Sequence, residues 1–169
     1  VRRDMRIATK TGMGGKPGAL TPDAVHAACQ GSLNRLQTDF IDLYYVHRDD
    51  RVTEVEAIAE GYDGLFRSGT VRELGVSNIA TDRLQALNTC ARSKGRQTFT
   101  VLQPGYNLVW RNEYPADLEA LVVRDGMAVL PYYGLAAGFL SGKYRPDSDF
   151  SSSRAANAKM FATDAGWAA

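Results

Sequence analysis

The sequence predicts an α/β fold on a parallel sheet, reading as part of an α/β barrel. Three observations predict it. Five short apolar runs alternate with four amphipathic helical segments, so consecutive strands are joined by right-handed crossovers. The clearest run, 40–46, is almost continuously apolar, as a strand covered on both faces is. The length, 169 residues, suits one domain but falls short of the ~250 residues of a closed eight-stranded barrel.

Each element has a local reason. Residues 5–9 form a short, largely apolar run ending in Lys10, followed by a glycine-rich loop over 11–18. Thr21, Pro22 and Asp23 start a helix with a hydroxyl cap, a proline at its first position and a carboxylate at the positive dipole end. Val25, Ala28, Cys29, Leu33 and Leu36 recur at helical spacing to about Gln37. After strand 40–46 a helix runs over 53–67 and stops at Ser68-Gly69. Strand 71–76 ends in Ser77-Asn78, and helix 81–93 closes at Lys94-Gly95. Strand 99–102 ends in Gln103, and helix 114–124 closes at Asp125-Gly126. A fifth strand over 128–130 leads into Pro131-Tyr132-Tyr133. Residues 145–169 are polar and rich in Ser and Ala.

Composition narrows the function. Twenty basic against 19 acidic residues leave no surplus to steer the chain onto nucleic acid or anionic lipid. No uniformly apolar 18-residue stretch predicts a membrane span, and no signal peptide is evident, so a cytoplasmic location is expected. Cys29 and Cys90 lack CxxC spacing and neighbouring histidines, so neither a disulfide framework nor a metal site is expected. The glycine loop fails the phosphate-loop pattern, because Pro17 follows Gly15-Lys16 and lacks an amide donor. It reads as a mobile loop over the sheet's mouth. His26, early in a helix, reads as a solvated surface residue.

In parallel α/β folds ligands sit at the carboxyl ends of the strands. One polar residue or pair ends each strand here: Lys10, His47, Ser77-Asn78, Gln103 and Tyr132. Each alone has a bland reading as a solvated or turn residue. Together one geometric rule aims them at the same place. Tyr45 shares a strand face with His47 but lies two residues deeper, as core packing does. Tyr106 lies near Gln103, and Trp110, Arg111 and Asn112 read as generic loop residues without a role.

Five ordered blocks carry a resemblance. Residues 7–10 (Ile-Ala-Thr-Lys), 39–47 (Asp-Phe-Ile-Asp-Leu-Tyr-Tyr-Val-His), 75–78 (Gly-Val-Ser-Asn), 103–108 (Gln-Pro-Gly-Tyr-Asn-Leu) and 132–144 resemble consecutive blocks of the aldo-keto reductases, in that family's order and spacing. The resemblance implies a (β/α)8 TIM barrel that binds NADP(H) at its C-terminal face and reduces aldehyde or ketone carbonyls to alcohols by hydride transfer. It implies catalytic roles for Lys10, which lowers the pKa of an acid tyrosine, and His47, which orients the substrate carbonyl. Ser77, Asn78 and Gln103 match the side chains that bond the nicotinamide carboxamide. Tyr132 matches the aromatic on which the ring stacks, and Leu135 the loop beneath the cofactor's diphosphate. The implied partner is a small-molecule carbonyl substrate.

The family's catalytic Asp and Tyr precede the matched Lys by some thirty residues and have no match here. Nor has the segment that binds the adenosine 2′-phosphate. Residues 1–169 therefore read as a single partial barrel, strands three to seven, truncated at both ends, with 145–169 a loop running into an unfinished helix. On that reading the chain alone is expected to be inactive. Gln37 stands where many members have a helix-ending glycine. A non-catalytic cofactor-binding regulatory protein of the same fold is the alternative, against which Lys10 and His47 argue. An unrelated barrel isomerase would want a late phosphate loop and strand-end carboxylates, and neither is evident.

Overall fold

A proline whose missing amide has no helical partner anyway starts the first helix. The computed structural model describes residues 2–168. Helix α1 spans Pro22–Leu36, preceded by an extended Thr21. The Thr21 hydroxyl donates to the Gly18 carbonyl instead of capping the helix. At the other end Gln37 takes a left-handed conformation, φ +51°, and its N–H donates to the Leu33 carbonyl. A residue with a Cβ gives up ~1 kcal/mol there, which is why glycine is the common choice.

The remaining elements alternate as expected. Strands β1 (Ala8–Thr11), β2 (Leu43–Val46), β3 (Leu74–Ser77), β4 (Val101–Gln103) and β5 (Ala128–Val129) are interleaved with α2 (Val55–Arg67), α3 (Thr81–Ser93) and α4 (Ala116–Asp125). All neighbours pair in parallel, in the order β1-β2-β3-β4-β5. The α/β expectation holds: five parallel strands alternate with helices, as in part of a (β/α)8 barrel. The strands are shorter than the apolar runs. β1 begins at Ala8 because the Ile7 N–H is taken by the Asp42 carboxylate, at 3.0 Å. Residues 40–42 lie outside β2, although Ile41 keeps an isolated parallel bridge to Val71 and the Asp42 N–H donates to the Ile7 carbonyl.

Side chains that alternate along the strands separate the faces. Tyr44, Val46, Leu74, Val76 and Leu102 point toward the helices and join Val25, Cys29, Ile58, Leu84 and Leu118 in one apolar core. The Tyr62 ring sits between Tyr44 and Phe99, at centroid distances of 5.7 and 5.2 Å. Each large side chain buried there contributes about 1.5–3 kcal/mol. α1 and α2 approach closely at Gly61, where a Cβ would lie 2.9 Å from Pro22 Cα. His26 is exposed, and its Nε2 lies 2.8 Å from the Gly61 carbonyl oxygen, clasping the same crossing.

The end of the sheet opposite the strand termini is tied by charge. The buried Asp42 carboxylate pairs with Arg2, Arg6 and Arg72 at 2.9, 3.2 and 3.3 Å. The Arg2 and Arg72 guanidiniums stack on the Phe40 ring, 3.9 and 3.7 Å from its centroid. A second cluster follows β5: Ala136, Phe139, Ala158 and Phe161, with Trp110 and Trp167 against them. Within 145–169 it is carried by two short helices, α5 (Ser153–Lys159) and α6 (Asp164–Trp167). They are capped by the Ser152 and Thr163 hydroxyl oxygens, which accept from Ala155 N and Gly166 N. Among the described residues, no helix is long and apolar enough to cross a membrane.

Candidate active site

Register decides which side chains meet at the strand ends. Ser77 pairs with Gln103 across β3 and β4, so both project from the same face. Lys10 pairs with Tyr45, and the His47 N–H donates to the Thr11 carbonyl at 2.7 Å. Two-residue alternation then turns Lys10, Tyr45, His47, Ser77 and Gln103 away from the helix-covered core. A cleft of about 420 Å³ opens there, lined by Lys10, His47, Arg48, Ser77, Asn78, Gln103, Tyr132 and Tyr133. Six of the seven residues singled out in the sequence thus meet. The seventh, Leu135, is 65% exposed and lines an adjoining cavity with Ala137, Gly138 and Lys143. Tyr133 belongs to both cavities.

Hydrogen bonds tie the cleft's floor together. The Ser77 hydroxyl donates to the Gln103 carbonyl at 2.7 Å. Asn78 Nδ2 donates to the His47 carbonyl at 2.7 Å and to Ser77 Oγ at 3.0 Å. The Tyr132 hydroxyl donates to Asn78 Oδ1 at 3.1 Å. Asn78 is left-handed, φ +48°, a conformation asparagine tolerates better than most residues, and this turns its amide back over the sheet. Both amide protons of Asn78 and the one hydroxyl proton of Ser77 are therefore engaged. Asn78 Oδ1 keeps a lone pair, and the Gln103 side-chain amide has no partner among the described residues. A primary carboxamide, with two donor protons and an acceptor oxygen, fits that remaining set. The half-buried Tyr132 ring gives an aromatic surface beside it.

Charge in the cleft is positive and unneutralised. No carboxylate pairs with Lys10 among the described residues, and its ammonium lies 5.5 Å from the Tyr45 ring centroid. The His47 ring has no hydrogen-bond partner among them either. Its pKa is lowered, first by burial and then by the Lys10 and Arg48 charges, so the imidazole is neutral at pH 7 and carries one N–H. In a His26→Gln background, the NMR titration of His47 should therefore have a midpoint below the ordinary ~6.5. A midpoint at or above that value contradicts this electrostatic account.

Neighbouring loops hold His47 in place. Asp49 accepts from Arg83 Nε at 3.0 Å, which links the β2–α2 loop to α3. Asp50 accepts from Thr53 N at 2.9 Å and from Gly18 N at 3.0 Å, which links it to the glycine loop. Tyr45 is buried under Lys10, its hydroxyl without a partner among the described residues, and its ring occupies the space a Cβ at Gly75 would need. Tyr106 packs edge-on against Tyr114 at 5.9 Å and does not line the cleft. Trp110 covers Gly105 and touches Tyr132 and Tyr133, at centroid distances of 6.0 Å. Sequence reasoning passed over Arg48 and Tyr133 as lining residues. Both directly follow strand-end residues it had selected, and that adjacency was the available signal.

The sequence profile of the Aldo/keto reductase family matches residues 1–166. The chain is 35% identical over 142 residues to aflatoxin B1 aldehyde reductase member 2 of Mus musculus, covering 83% of this chain and 38% of that protein. It is 32% identical over 153 residues to aldo-keto reductase YhdN of Bacillus subtilis, covering 88% and 44%. It is 30% identical over 126 residues to an aryl-alcohol dehydrogenase [NADP(+)] of Phanerodontia chrysosporium, covering 75% and 31%. The chain thus spans about two fifths of the length of the curated relatives it matches.

Proposed function

The chain belongs to the aldo/keto reductase family, and from that premise we propose that it serves the NADP(H)-dependent reduction of aldehyde or ketone carbonyls to alcohols. One observation carries the reading. Lys10, His47 and Gln103 present polar heads without hydrogen-bond or ion-pair partners among the described residues to a single cleft, beside a tied Asn78–Tyr132 platform. Exposed Lys10 and half-buried His47 and Gln103 keep hydrogen-bonding capacity that a ligand in the cleft can take up.

A bound nicotinamide would supply the hydride. Asn78 Oδ1 and the Gln103 amide would hold its carboxamide, and the Tyr132 ring would lie against the heterocycle. The residues of this chain then act on the carbonyl. His47, neutral at pH 7, donates its ring N–H to the substrate oxygen and fixes its direction. Lys10 brings a positive charge to the face where negative charge builds on that oxygen, stabilising it and any neighbouring phenolate. Leu135 and the small residues after it would run beneath the cofactor's diphosphate.

The test is a fluorescence titration of NADPH against the purified protein. Saturable enhancement is expected, weakened about fivefold by Gln103→Leu, the equivalent of one hydrogen bond of ~1 kcal/mol. A folded full-length protein with no saturable response to NADPH would refute the proposal.

A further inference from the structure

The wall of the cleft beyond β5 contains a strained residue. Tyr133 takes a left-handed conformation, φ +61°, which a residue with a Cβ adopts only at a cost. In an extended chain successive side chains point to opposite faces. The left-handed turn cancels that alternation, so the Tyr132 and Tyr133 rings line one cleft, edge to face at a centroid distance of 5.2 Å. A strained backbone of this kind persists only where its surroundings over-determine it.

Those surroundings converge on Asn107, a buried residue of the β4–α4 loop that does not itself line the cleft. Asn107 Nδ2 donates to the Tyr133 carbonyl at 3.0 Å, and the Ala136 N–H donates to the same oxygen at 2.7 Å. Asn107 Oδ1 accepts from the Val109 N–H at 2.9 Å. That bond sets the amide's orientation, because only its oxygen accepts, and the nitrogen is left to face the carbonyl. The backbone of Asn107 is held as well: its N–H donates to the Trp110 carbonyl at 3.0 Å, and its carbonyl accepts from the Trp110 N–H at 3.3 Å. The Trp110 ring lies 6.0 Å from each tyrosine ring. One side-chain amide thus ties the β4–α4 loop to the residue that follows Tyr132.

We propose that Asn107 is a positioning residue for the nicotinamide: by holding the Tyr133 carbonyl it keeps residue 133 left-handed, and so keeps the Tyr132 ring where the heterocycle stacks. The proposal rests on the reductase reading above and extends it to a side chain outside the cleft.

The experiment separates the bond to Tyr133 from the bond within the loop. Asn107→Asp keeps the shape and the acceptor for the Val109 N–H, but sets an oxygen against the Tyr133 carbonyl. In the full-length protein it should weaken NADPH binding about tenfold by fluorescence titration, as a lost hydrogen bond with an unmatched acceptor does. By competition, 2′-phospho-ADP-ribose, which lacks the nicotinamide, should bind within about twofold of its affinity for the parent protein, since its contacts lie elsewhere. Glycine takes the left-handed conformation freely, so in a Tyr133→Gly background Asn107→Asp should change NADPH affinity less than about twofold. Equal weakening of both ligands, or equal weakening in both backgrounds, marks a merely structural loop and overturns the proposal. NADPH affinity unchanged by Asn107→Asp overturns it too, and leaves the reductase reading standing. If the reductase reading alone fails, neither parent nor variant binds NADPH saturably, while Asn107→Asp still alters the near-ultraviolet circular dichroism of the tyrosine pair.

Discussion

On the proposed carbonyl reduction, Lys10→Met in the full-length protein should lower kcat/KM about a hundredfold to ten-thousandfold while the fold survives. Methionine keeps the length and apolar stem of lysine and removes only the charge. Lys10 is exposed on the face away from the core and has no ion-pair partner among the described residues, so its loss breaks no ion pair and removes only the 5.5 Å approach of the ammonium to the Tyr45 ring. In the proposed reaction, what disappears is positive charge where the carbonyl oxygen would become negative, and the expected loss is that of a positioned acid–base or oxyanion group. His47→Ala should act in the same direction. Steady-state kinetics alongside thermal unfolding separate the two effects: turnover should collapse with the melting midpoint unchanged. Near wild-type turnover in Lys10→Met would sink the mechanism.

Asp42→Asn should cost about 1–2 kcal/mol of stability at pH 7 and progressively less toward pH 2. Burial alone would raise the Asp42 pKa. The Ile7 N–H, Arg2 and Arg6 outweigh that and hold it at about 2. The native state therefore favours the carboxylate. Its stabilisation is fully present above the unfolded value near 3.9 and is lost as pH falls through the native value. A shift of roughly two units would be worth ~2.5 kcal/mol at 1.36 kcal/mol per unit. Arg6 and Arg72 are 79% and 50% exposed, and solvent screening at those partners reduces the figure. Urea unfolding of both proteins from pH 7 to pH 2 should show the gap closing between pH 4 and pH 2. A gap that stays constant over that range contradicts the argument.

The strand order and the cleft were legible because both follow from period. Apolar runs, helix starts such as Pro22 and polar strand ends are local signals, and a parallel sheet collects its strand ends at one place. Strand boundaries were less legible. The pull of Asp42 on Ile7 N is a contact across 35 positions that no window of sequence contains. The internal pairing of Asn78 was hidden for a related reason. It depends on a left-handed backbone at residue 78 and on register with His47 and Tyr132. Sequence suggested three carboxamide-binding side chains, whereas two of them have already used their protons within the protein. Gln37 ends α1 in the left-handed conformation without being glycine, so the ending was visible and its conformational strain was not.

The Ser77-Asn78 pair reaches the ends of β2, β4 and β5 from β3 alone. The rim of the sheet is consequently tied at one point: the end of β2, β4 or β5 leaves by breaking one bond, whereas moving Ser77 and Asn78 releases all three. A ligand that borrows the last lone pair of Asn78 therefore reaches the ends of β2, β3 and β5 through one side chain, and its arrival should slow amide exchange at the end of β2, where the nicotinamide makes no contact of its own.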